Sequence, residues 1–261
     1  MGNESVYMEV SMGDSRDETI QKAYDTNAAI ILDQKYIRNN YDEGELRVDR
    51  ETGEITLLLR WRFNWIRESN VINDWTELEK THFVLMAYSV IRQVWNGKVS
   101  FSVSGYSDFA KKFSGKKLPF KIEIIPVNRN WHWWVNVHKI NPGDYIETFV
   151  YHAFRTIQLK IRDISGVYLC DNGDVDICES GQIQIAHEVG HVVGWLGTDI
   201  SGNKDEYYGS EKERRERLPD SSDIHALMNI GMGLRPRYLK TVTKRLSEMF
   251  SDAVFSPAIK G

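Results

Sequence analysis

The sequence predicts an α+β domain, and three observations predict it. Residues 54–66 alternate apolar and polar, with Ile55, Leu57, Leu59, Trp61, Phe63 and Trp65 on one side, the period of a half-buried strand. Residues 75–95 instead repeat Phe83, Ala87, Val90 and Val94 at helical spacing. Further strand-like segments then precede a second helix at 181–196, and a third helix lies near the end of the chain.

Taken in order, residues 1–44 are polar and weakly periodic and read as an N-terminal extension with one short helix near 19–32, leaving 45–261 as the domain. Residues 45–50 and 54–66, joined by Glu51-Thr52-Gly53, read as a β-hairpin. Asp74 with Glu77 resembles a capping box for the helix over 75–95, which Asn96-Gly97 stops. Strands are expected over 99–103, 120–127 and 131–140, with the Gly/Ser/Lys-rich stretch 104–117 as a loop. Two more are expected within 156–162 and 167–177. Along 131–140, Trp131, Trp133, Val135 and Val137 take the buried phase. His132, Trp134, Asn136 and His138 share the other, which reads as a satisfied, partly exposed face rather than a metal site. Ser180 is the expected N-cap of the helix over 181–196. A charged loop follows from 197 to about 223, and the last helix enters at Pro236 and buries Leu239, Val242, Leu246 and Phe250.

Length and charge narrow the function classes. The 261 residues carry a formal net charge of −4, which offers no electrostatic reason to bind nucleic acid or an anionic membrane. A protein or peptide substrate stays open. No apolar run reaches the roughly 18 residues of a membrane span. The acidic start lacks a basic segment followed by an apolar one, which predicts a chain made in the cytoplasm without a Sec-type signal. Two cysteines, Cys170 and Cys178, flank Asp171-Asn172-Gly173-Asp174; a hairpin disulfide is one reading, and two reduced thiols the favoured one. The 8 Trp fall mostly at buried phases, so stacking on sugars or bases is not inferred from them.

The chemistry is concentrated in His187-Glu188-Val189-Gly190-His191, an H-E-x-x-H sequence inside an expected helix. Residues four apart share a helix face, so both imidazoles can meet one metal ion while Glu188 reaches a water beside it. Ile185, Val189, Val192 and Leu196 form an apolar stripe on the opposite face. Two His with one further donor and an open position favour Zn2+, and that set implies hydrolysis by a metal-activated water with Glu188 as general base.

Extended to His187-Glu188-Val189-Gly190-His191-Val192-Val193-Gly194, the motif resembles the start of the metzincin signature, and Met228 in Ala226-Leu227-Met228-Asn229 looks like its Met-turn. With the order of strands and helices, this resembles the zincin fold over residues 55–250. The resemblance implies a zinc metalloendopeptidase acting on protein or peptide bonds, a hydrolase.

Metzincins place a ligand where this chain has Gly197, so the third ligand must come from elsewhere. Gly197-Thr198 and Asp205-Glu206-Tyr207-Tyr208-Gly209 are similar to the aspzincin third-ligand region, which implies Asp205. Asp199, Glu206 and His225 remain alternatives. Tyr207, Tyr208, Arg235 and Arg237 are candidates for oxyanion stabilisation, and each reads more simply as a packed ring or a solvated or paired guanidinium.

Trp95-Asn96-Gly97-Lys98, Leu227-Met228-Asn229-Ile230-Gly231 and Arg235-Pro236-Arg237-Tyr238-Leu239 look like segments of zincin-like proteins associated with bacterial contractile injection systems. This likeness implies either a toxin or effector delivered by such an apparatus, or a non-catalytic docking component of the particle. Hydrolysis of a non-peptide amide is a third class.

Overall fold

A computed structural model describes residues 34–170, 178–194 and 223–260, and within them the chain is a mixed α+β structure around a nine-stranded sheet. The sheet is organised by β3 (Ile55–Arg67), whose alternation puts Ile55, Leu57, Leu59 and Trp61 in the core. β2 (Gly44–Asp49) pairs antiparallel with its first half as the expected hairpin, the Asp49 carboxylate accepting from the turn N–H groups of Glu51 and Thr52. β1 (Tyr36–Tyr41) adds to β2 within the stretch read as an extension, so the sheet begins before residue 45. The short helix expected near 19–32 lies outside the described residues.

The remaining strands fill both edges of β3. β5 (Leu118–Pro126) runs parallel to residues 55–61 of β3, and β6 (Trp133–Lys139) runs parallel to residues 61–67. Val127 N–H donates to the Trp61 carbonyl and His132 N–H to the Arg60 carbonyl. Successive carbonyls of a strand point to opposite edges, so residues 127–132 carry the chain across β3. Beyond β6 come β8 (Thr156–Lys160), parallel, and β7 (Phe149–Tyr151), antiparallel at the edge. On the other side β4 (Val99–Gly105) pairs antiparallel with β5, and β11 (Ala253–Ile259) with β4. A separate hairpin joins β9 (Gly166–Cys170) to β10 (Cys178–Ile183), with Cys170 and Cys178 opposite one another in the backbone register.

Helix α1 (Glu77–Trp95) is where its periodicity places it, but its cap differs from the expected Asp74–Glu77 pair. The Thr76 hydroxyl accepts from Glu79 N–H and the Glu79 carboxylate accepts from Thr76 N–H, while Asp74 accepts from the adjacent Trp75. At the other end, Asn96 bonds both backbone groups of Ile122, tying the helix to β5. The stretch read as a loop holds a short helix, α2 (Asp108–Phe113), capped by Ser107 and anchored by Ala110 and Phe113. Three apolar positions, Phe109, Ala110 and Phe113, within six residues are too few to show a period.

Gly105, which precedes that helix, has φ 123° and lies against Asp252, whose carbonyl accepts from Tyr106 and Ser107 N–H. A Cβ there would collide with the Asp252 carbonyl oxygen. Gly105→Ala is therefore expected to lower unfolding stability by about 2 kcal/mol or more, read from the midpoint of urea denaturation.

The helix expected over 181–196 is instead α3 (Gln184–Val193). Gly181–Ile183 belong to β10, so Ser180 is no cap; the carbonyl of Asp163 instead accepts from the first-turn N–H of Ile185. α1 and α3 meet where Trp95 Nε1 donates to the Ala186 carbonyl at 3.4 Å. The last helix, α4 (Lys240–Met249), follows a 3₁₀ turn at Pro236–Leu239 and buries Leu239, Val242, Leu246 and Phe250 as predicted. The opposite face of the sheet is polar: Asn64 donates to Asn136, Asn136 to Gln158, and Gln158 meets His138, which pairs with Glu68. Of the face expected over 131–140, Asn136 and His138 are partnered in this way, while His132 precedes the strand and, like His138, is buried rather than partly exposed. Among the described residues no helix is long and apolar enough to cross a membrane.

Candidate metal centre

Helix α3 carries His187, Glu188 and His191, and all residues from Ile185 to Val193 are buried. The expected split into an apolar and an open face is thus replaced by burial all round, because β10 and the segment 223–239 close over the histidine side. His187, Glu188 and His191 are only 2%, 3% and 4% exposed. Three ionisable groups so deep on one short helix are costly unless partnered.

One partner fixes the first imidazole. His187 Nδ1 donates to the Leu227 carbonyl at 2.7 Å, so the neutral ring keeps its lone pair on Nε2. This is the outer hydrogen bond by which metal-ligating histidines are usually oriented. The rings of His187 and His191 lie 5.3 Å apart between centroids, on successive turns.

Directly beneath runs the turn that contains Met228. Its side chain is fully buried, and its sulfur lies over Gly190, between the two histidines in sequence. Only a residue without Cβ permits that approach: an added methyl would collide with the Met228 sulfur. Gly190→Ala is expected to cost about 1–3 kcal/mol in unfolding stability and to weaken metal binding, measured together by denaturation and by competition with a chelating dye.

The turn is held in turn by β10 and α4's entry. Gln182, buried at the end of β10, directs its side-chain amide N–H groups at the carbonyls of Leu227, Asn229 and Gly231, at 3.3, 2.7 and 2.9 Å. Its own oxygen accepts from Gln184. Tyr238 accepts from Met228 N–H at 3.3 Å through its hydroxyl. The chain then doubles back, with Leu227 N–H donating to Gly233 O and Gly233 N–H to His225 O. Sequence reasoning assigned no role to Gln182 or Tyr238, since neither spacing nor composition connects them to residues 227–231.

Arg235 and Arg237, weighed as oxyanion groups, are engaged by Asp223: Arg235 makes two bonds at 2.7 and 2.8 Å and Arg237 one at 3.0 Å. These hydrogen bonds, Arg235's first, hold the Asp223 carboxyl below its usual range despite partial burial. His225 is exposed. Asp205, Asp199, Glu206, Tyr207 and Tyr208 lie outside the described residues, as do Leu196 and Gly197. Among the described residues no three His, Cys, Asp or Glu side chains converge on one point, so His187, Glu188 and His191 share one helix but the described residues contain no third ligand.

A further histidine borders the centre without any sequence signal. His152, in the 3₁₀ turn after β7, packs its ring edge-on against Trp133 at 5.2 Å. Burial, and then the neighbouring His191, push its pKa down to about 4.

No protein family, no curated protein and no solved structure matches the chain.

Proposed function

We propose that this chain is a zinc-dependent metallopeptidase of the zincin type, with His187 and His191 as two of the metal ligands, Asp205 as the third and Glu188 as general base. The observation that carries the reading is the docking of the Met228 turn under Gly190 together with the Leu227 carbonyl on His187 Nδ1. A sulfur floor beneath a helix turn that carries two buried imidazoles, one of them oriented by a backbone carbonyl, is an arrangement that packing alone does not require, and Glu188 lies buried between them in sequence. Zinc held there would polarise a scissile carbonyl and acidify the attacking water. Glu188 would take up that water's proton and pass it to the leaving amine, while His187 is kept in one tautomer by Leu227.

Elemental analysis of the purified chain tests the metal half of the proposal. One zinc per chain is expected, lost in His187→Ala and in His191→Ala. A wild-type protein that neither retains nor takes up zinc, under conditions where it is folded, would overturn it.

A further inference from the structure

Where residues 127–132 cross β3, they form one wall of a surface cleft of about 630 Å³, within the size of a small-molecule site. Arg60, Arg129 and Arg155 line it, with Trp131 and His132, against a single acidic residue, Asp42. This density of guanidinium groups is at odds with a chain of net charge −4.

Each arginine is held differently. Arg60 donates from Nε to the Asn130 carbonyl at 2.6 Å and shares Glu45 with Arg38 and Arg47, so three guanidinium groups surround one carboxylate. Arg155 donates to the Asp42 carbonyl and lies over the Trp131 ring at 5.0 Å. Arg129 is exposed and among the described residues has no ion-pair partner. The Asn130 backbone between them takes φ 51°, a left-handed conformation that bends the crossing around the cleft.

A second, independent observation concerns His132, which is 3% exposed. Its Nδ1 accepts from Arg60 N–H at 3.0 Å, filling the gap along β3 between β2 and β6. The proton of the neutral ring is therefore on Nε2, and that buried atom has no hydrogen-bond partner among the described residues. Burial, then Arg60, lower the pKa of this imidazole to about 4, so it stays a neutral donor. A buried donor left unmade costs on the order of 1–3 kcal/mol, and the residue that bears it is one of those lining the cleft.

We propose that this cleft is a binding site for a small molecule bearing two adjacent phosphoryl groups, the shared chemistry of pyrophosphate and nucleoside diphosphates. Guanidinium forks match phosphoryl oxygens, and the cleft is too large for a single phosphate. The Trp131 ring, with Arg155 over one face, lines the same cleft, so its other face is the one on which a base would stack. The site is independent of the metal centre, and the proposal stands or falls without it.

Calorimetric titration of the full chain with pyrophosphate, with ADP and with a single-stranded oligonucleotide tests it. Pyrophosphate is expected to bind, and Arg129→Ala/Arg155→Ala to weaken it at least about tenfold, with Arg129→Ala alone weakening it less. Lys116→Ala/Lys117→Ala removes the same charge from a remote exposed surface and should change affinity less than about twofold. ADP binding tighter than pyrophosphate, with the difference erased in Trp131→Ala, identifies a nucleotide; equal affinities identify the phosphoryl groups alone as what is read. No binding at millimolar pyrophosphate, equal losses in the two double variants, or tighter binding of the oligonucleotide would each overturn the proposal.

Discussion

Glu188→Gln is expected to reduce peptide hydrolysis by about 10²–10⁴-fold, the usual contribution of a positioned general base, while leaving bound zinc and thermal stability close to wild type. The substitution is nearly isosteric, so the buried position between the two histidines stays filled, and only the ability to take a proton is lost. A broad library of peptides, profiled with wild type and variant side by side, provides the rate ratio and the cleavage sites at once. Unchanged cleavage in the variant would show that the activity belongs to something other than this helix. Loss of zinc together with loss of activity would place Glu188 in holding the site rather than in moving the proton.

The second large effect is expected at Gln182, remote from any reacting atom. Gln182→Leu keeps the volume of the side chain but removes its donor from three buried carbonyls, those of Leu227, Asn229 and Gly231. The Leu227 carbonyl keeps its bond from His187, so with the lost donor at Asn229 and Gly231 costing on the order of 1–3 kcal/mol each, unfolding stability should fall by at least about 2 kcal/mol. Zinc affinity should fall about 10–100-fold as well, because Leu227 also orients His187. Denaturant titration of the zinc-free protein isolates the first effect, and chelator competition isolates the second. A stability loss with undiminished zinc affinity would show that the turn keeps its place under α3 without this amide.

What could be read in the sequence divides along a physical line. Periodicity identified β3, α1 and the stripe of α4, since each is long enough for Ile55 to Trp65, Phe83 to Val94 or Leu239 to Phe250 to repeat. The H-E-x-x-H helix and Met228 were legible because both are defined by local spacing. Short or polar elements were not. β7 has three residues, α2 has six, and β1 puts only Ile37 and Tyr41 against the core beside the polar pairing of Arg38 with Glu45. β11 contains Pro257, a residue that argues against a strand, and is accommodated at the edge of the sheet beyond β4.

The same line runs through the candidate site. His187, Glu188 and His191 are local on one helix, whereas Tyr238 and His152 reach it from distant parts of the chain, and Gln182, next to the helix, acts through the distant turn at 227–231. Gln182 falls inside the stretch expected as helix, where its polarity carries no signal. Its actual use depends on carbonyls more than forty positions away.

The passage of residues 127–132 across β3 also has a bearing on how the chain assembles. β5 and β6 flank opposite edges of one strand yet are joined by this single short span, so neither can settle fully before β3 is in place as a template. Contacts such as that of Arg60 with His132, 72 positions apart, must close before the sheet is complete, a topology that slows folding. Opening the chain at this span and joining its ends elsewhere would free the two strands to dock separately, trading one obligatory order of assembly for two parallel ones.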